Sequence, residues 1–205
     1  MKKHLTRSEI AKRRKTNLVT ALLLAFLMIT SIAGYMSNRN PLNVVRYNKF
    51  VFRQEQDMYG NFKWYSKING KTLIFDYNPK QVESINVSPV IRDRILSSNY
   101  VILTFEPSDR FTMNYFDRAR YDFGSVLYER GINVASAIAN TSDDYDLPII
   151  TCTNSTQQIP VIYMFKGNKT EIRMENDCIV LECFENYEIL ALKDRLLYSV
   201  LGVIN

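Results

Sequence analysis

Apolar and polar positions alternate cleanly on both sides of Asn69-Gly70, in the stretch RYNKFVFRQEQDMYGNFKWYSKINGKTLIFDYNP. A type I′ hairpin turn needs positive φ at both central residues, and Asn-Gly supplies it. Folding there sets residue 68 opposite 71, 66 opposite 73, 64 opposite 75 and 62 opposite 77. Trp64 then faces Phe75, and Phe62 faces Tyr77. The segment around Phe50 and Phe52 supplies a third strand, and residues 37–46 read as a linker. An isolated hairpin is marginal in water, so this meander must lean on other elements.

Asn78-Pro79 and Ser88-Pro89 each place a capping residue before a proline, which predicts short helices near 79–85 and 89–97. YVILTFEP at 100–107 reads as a buried strand. From about 109 to 130, Phe116, Ala119, Phe123, Val126 and Leu127 recur at helical steps, and Gly131 closes the helix. INVASAIAN at 132–140 reads as a strand and LPIITC as a shorter one. Pro160 can only begin a strand, and the apolar run from Val161 to Phe165 predicts a central one. Gly167-Asn168 predicts a turn, with Ile172 and Met174 alternating with charges in a half-exposed partner strand. The chain ends in a helix from about 187 to 203, whose stripe is Ile189, Leu192, Leu196, Val200 and Val203.

Charge changes the picture at the N-terminus. Lys2, Lys3, Arg7, Lys12, Arg13, Arg14 and Lys15 against Glu9 give +6 for residues 1–36; the whole chain is +5, so the remainder is 5 − 6 = −1. A near-neutral remainder does not support nucleic-acid binding. Leu18 to Met36 holds 19 residues without a charge, enough for a helix across a bilayer core of about 30 Å. The basic flank then puts residues 1–17 in the cytoplasm and 37–205 outside a cell membrane. A cleaved signal peptide is the alternative, since Ser31-Ile32-Ala33 has the small-x-small pattern. Sequons at Asn86, Asn140, Asn154 and Asn168 lie beyond this segment.

The order strand, helix, strand, short strand, hairpin, helix over residues 99–205 resembles the thioredoxin-like fold, and IPVIYMFKGN resembles the step in which that family enters a strand through proline. The resemblance implies a cis Ile159–Pro160 bond. It also implies a Cys-x-x-Cys where the first strand meets its helix, but that place reads EPSDRF, residues 106–111. The dithiol chemistry needs two adjacent sulfurs at a helix N-terminus, so the family's activity is not implied. DRLLYSVLG with TCTN also resembles uncharacterised, N-terminally anchored archaeal membrane proteins, a likeness that carries no activity. The predicted fold class is α/β: a transmembrane helix over 18–36, a three-stranded antiparallel meander with short helices within 37–98, and a thioredoxin-like mixed-sheet domain over 99–205.

Candidate chemistry is sparse. His4 is the only histidine, so residues 37–205 hold no Ser-His-Asp or Cys-His pair and no histidine metal ligand. Three cysteines remain: Cys152, Cys178 and Cys183. Cys178 and Cys183 lie five apart in one strand and point to opposite faces, so Cys152–Cys178 is the preferred disulfide, with three buried thiols as the alternative. Asp143, Asp144 and Asp146 form an acidic loop without EF-hand spacing. Glu106 and Asp109 sit at a strand-to-helix junction, where capping is the preferred role. No motif asks for a cofactor or metal. Two functions follow: a membrane-anchored extracytoplasmic binding or assembly domain with a protein partner, working through a sheet edge or a tyrosine-rich surface, or a divergent thiol-disulfide oxidoreductase using Cys152 with Cys178 or Cys183.

Overall fold

The computed structural model describes residues 7–37 and 43–204, with the side chains of 17–32 described in the first segment. The chain divides into two compact units, 1–42 and 43–205. In the first, α1 (Arg7–Ser37) is a single helix, and its large apolar side chains from Leu18 to Ile32 are exposed. Among the described residues no helix is long and apolar enough to cross a membrane. The expected transmembrane helix over 18–36 is corrected accordingly.

The second unit stacks a four-stranded sheet, a helical layer and a five-stranded sheet. The first sheet is an antiparallel meander of β1 (Asn43–Tyr47), β2 (Phe50–Gln56), β3 (Phe62–Ile68) and β4 (Lys71–Phe75). Asn69 and Gly70 take positive φ, and the register sets Ile68 opposite Lys71, Ser66 opposite Leu73 and Trp64 opposite Phe75. β1 occupies part of the stretch read as a linker. The pairing of Phe62 with Tyr77 is absent, because β4 stops at Phe75; Phe62 lies opposite Gln56 instead.

Short helices α2 (Pro79–Val82) and α3 (Pro89–Leu96) follow, both opened by proline; Asn78 caps the first by accepting the Lys80 N–H at 3.0 Å. The second sheet holds β5 (Tyr100–Phe105), β6 (Asn133–Ile138), β7 (Val161–Lys166), β8 (Glu171–Glu175) and β9 (Cys178–Cys183), in the order β6-β5-β7-β9-β8. Only β8 is antiparallel to its neighbour. α4 (Arg110–Glu129) links β5 to β6, and α5 (Glu188–Val200) closes the chain. Of the LPIITC segment only Ile149 bridges to the sheet, at Ile138, and residues 152–154 form a 3-10 turn.

Two expectations fail in this sheet. The hairpin at Gly167-Asn168 does not form: the chain crosses to the outer strand β8 and returns as β9, which runs between β7 and β8. All six residues of β9 are buried, as a strand with two neighbours and two covered faces requires. The Ile159–Pro160 bond is not cis, since the described residues hold no cis peptide. The trans form is the cheaper state of an X–Pro bond by about 0.5–1 kcal/mol. Here Pro160 offers its carbonyl to the Ile102 N–H at 3.1 Å.

α5 lies between the two sheets and is buried on almost every side. Tyr198 packs against Phe52 and Phe75 of the meander, with ring centroids 5.5 and 4.6 Å away, and donates its hydroxyl to the Tyr77 carbonyl at 2.5 Å. Beside it, the Asp194 carboxylate accepts the N–H groups of Asp76 and Tyr77 at 2.7 and 2.8 Å. The Lys193 ammonium lies 2.9–3.0 Å from Asp76, Asp122 and Asp194. Asp76 also pairs with Lys63 and Arg118. Three cations and three carboxylates thus compensate one another at the seam, where an unpaired buried charge would cost several kcal/mol. Burial alone would lower the Lys193 pKa, but the three carboxylates raise it; burial pushes Asp194 up to about 6.

Candidate functional site

Two places in the second unit gather the chemistry. The first is the sheet face away from the helices. Cys152 and Cys178 are joined there, S–S 2.03 Å, and the bond ties the segment after Ile150 to the start of β9. Cys178 is fully buried. Cys183 points to the opposite face, is buried among the helix-side core, and its thiol is pushed up to about 12 by burial. Ser155 Oγ accepts the Val161 N–H at 2.9 Å, so Pro160 leads into β7 under the disulfide-tethered segment.

Beside the disulfide is a cleft of about 260 Å³ lined by Glu106, Asn140, Cys152, Tyr163, Phe165 and Arg173. Tyr163 and Phe165 stack with centroids 5.1 Å apart. Tyr163 donates to Glu106 at 3.3 Å, and burial together with that carboxylate pushes its phenol up to about 12. Arg173 is fully engaged by Glu171, Glu175 and Glu182 at 3.2, 2.8 and 2.6 Å. A cleft so internally paired offers a ligand few free polar groups. Asp109 is the N-cap of α4, accepting the N–H groups of Phe111 and Thr112 at 3.0 Å each. Among the described residues no cluster of three His, Cys, Asp or Glu could hold a metal, the acidic loop at 143–146 included.

The second place is the free edge of β6. The Asn133 N–H donates to Asn99 O at 3.0 Å and the Ala139 N–H to Phe105 O at 2.8 Å. Alternation then turns the N–H and C=O groups of Val134 and Ser136 away from β5, toward solvent. From Ile138 onward the edge is sealed: its N–H donates to Pro148 O at 3.0 Å, and the Ile150 N–H to Ile138 O at 2.9 Å. Above the open part lies a groove of about 340 Å³ lined by Arg120, Tyr121, Gly124, Ser125, Tyr128, Val134 and Ser136. Tyr121 and Tyr128 are 75% and 71% exposed. Seven residues apart on α4, they stand as two walls, with Gly124 and Ser125 as the notch between. Arg120 reaches in from one end; its Nε is buried without a hydrogen-bond partner among the described residues, while Nη2 bonds Asp117 at 2.7 Å.

Composition pointed only vaguely to this groove, as a general wealth of tyrosine. The usable signal was local: NVASAI carries no charge and no proline, two of the devices by which edge strands are protected. No protein-family model, curated protein or solved structure matches the chain.

Proposed function

We propose that residues 43–204 act as a non-catalytic assembly domain of an oxidising compartment, which takes an extended strand of a partner protein on the edge of β6. The observation that carries this reading is the pair of outward backbone positions, Val134 and Ser136, set under the tyrosine-walled groove. Strand addition uses this combination: main-chain hydrogen bonds hold the guest, and a side-chain groove beside the edge selects it. The Cys152–Cys178 bond supports the compartment, since such bonds persist where thiols are not kept reduced. It also anchors the segment that ends the open edge at Ile138.

The oxidoreductase alternative is opposed by the lack of a resolving thiolate. Exchange needs an accessible sulfur and a resolving thiolate. Cys152 is half-buried at the cleft, but Cys178 has no exposure, and the remaining thiol, Cys183, lies on the other face with its ionisation suppressed by burial.

Photo-crosslinking tests the reading. A photoreactive residue at Tyr121 or Tyr128 of the full chain, activated in the producing cells, is expected to give a discrete protein adduct that disappears with Ser136→Pro. Absence of adducts at both positions, with crosslinking intact from a control position inside the fold, would overturn it.

A further inference from the structure

We infer that the strand received by β6 is β6 of a second copy of this chain, paired antiparallel about a two-fold axis beside Val134. This rests on the β6 edge being the docking edge. A two-fold contact requires a patch that complements itself, and this edge does. Because Pro148 and Ile150 occupy it from Ile138 onward, an axis at Val134 is the register that fits: Val134 faces Val134, and Ser136 faces Ile132 of the other copy, just after that chain leaves α4. Both Val134 residues then exchange N–H···O=C bonds, and each Ser136 N–H reaches an Ile132 carbonyl. No residue of β6 is charged, so pairing the two strands themselves creates no like-charge repulsion.

The helices agree with that register. A Cβ placed on Gly124 would lie 3.5 Å from both Leu103 on β5 and Val134 on β6, so α4 sits over the space between those strands. Strands about 4.8 Å apart then bring the two α4 axes to roughly 10 Å, the separation at which helices pack. The small residues Gly124 and Ser125 leave room at the closest approach. Four largely exposed tyrosines, each able to bury on the order of 150–250 Å², would supply about half of the roughly 1,200 Å² that a specific interface needs. The strands and the notch between the tyrosines contribute the remainder. A flexible peptide would gain the same few main-chain bonds but lose its own conformational freedom on docking. A second β6 is already ordered and brings its own pair of tyrosines.

Sedimentation velocity on the full chain in a non-denaturing detergent, which covers the exposed apolar side chains of α1, tests this directly. The expected result is a dimer whose dissociation constant rises at least tenfold with Ser136→Pro and with Tyr121→Glu, the second altering an exposed side chain that the fold does not use. A monomer at all concentrations, or a dimer that both variants leave unchanged, would overturn self-pairing. In either case, a photo-adduct from Tyr121 to a different protein keeps the strand-docking reading, whereas no adduct removes both.

Discussion

The two edges of the five-stranded sheet are built on opposite plans. β8 reads Glu-Ile-Arg-Met-Glu, and Arg173 at its centre binds Glu171, Glu175 and, across to β9, Glu182. A strand that approached β8 would have to displace or desolvate that cluster. β6 reads Asn-Val-Ala-Ser-Ala-Ile and has no such barrier; its protection is confined to the end sealed by Pro148 and Ile150. Natural sheets blunt edges with charge, proline or a cover. Where one edge of a sheet is guarded and the other left bare beside a groove, the bare edge is the one open to further pairing.

The largest effect expected comes from removing the bond that fixes how much of β6 is open. Replacing Cys152 and Cys178 together by serine should cost about 3–4 kcal/mol, from the loop-closure entropy of the 26-residue separation. Chemical denaturation measures that loss. The Ile138 amide, now bonded to Pro148, should also exchange faster, which extends the bare edge. Unchanged exchange at Ile138 would show that the disulfide does not set the boundary.

Next in size is the guard on β8. Arg173→Ala leaves Glu171, Glu175 and Glu182 facing one another. It should destabilise by roughly 1 kcal/mol, discounted because the guanidinium is partly exposed, and less at high salt. Dimer formation through β6 should not change. If Arg173→Ala weakens association instead, the roles of the two edges are wrongly assigned.

Gly124→Ala should act in the other direction and by less. The added Cβ meets its neighbours at ordinary contact distance, and the helix interior gains about 0.5–1 kcal/mol. A raised melting temperature, together with weaker association as the notch fills, would tie the glycine to the groove rather than to folding.

Acid should separate the edges with the smallest perturbation. Burial alone would raise the Glu182 pKa, but the Asn168 and Lys169 N–H groups and Arg173 hold it below its ordinary value. A lowered carboxylate stabilises the fold above its ordinary range near 4.5, and that contribution is lost as pH falls through the folded pKa. Amide protection at β8 should therefore decline in acid, after correction for intrinsic rates. β6 carries no titratable side chain and should show no matching step.

Much of the fold was legible in the sequence because its signals are local. Asn69-Gly70 fixed a hairpin register, and the two Ser/Asn-Pro pairs marked helix starts. The failures came where a local signal competed with a sheet-wide one. Gly167-Asn168 reads as a hairpin turn, yet the unbroken Cys178–Leu181 run calls for a strand with neighbours on both sides, and the second requirement prevailed. Lys193 and Asp194 were invisible because they sit inside the apolar stripe of α5; only the carboxylates and backbone amides brought from α4 and the end of β4 explain them. The groove was hidden for a related reason: Val134 and Ser136 matter through the direction of their backbone groups, which depends on which neighbour β6 has and which it lacks.

Residue-resolved hydrogen exchange at Val134 and Ser136 in the full chain, dilute and then concentrated, addresses the open edge most directly. Both amides should exchange freely when dilute and gain at least tenfold protection as the concentration rises, while Asn133 and Ala139, bonded to Asn99 and Phe105, stay slow throughout. Protection of Val134 and Ser136 in the dilute monomer, or none gained at any concentration, would contradict an edge left bare for pairing with itself.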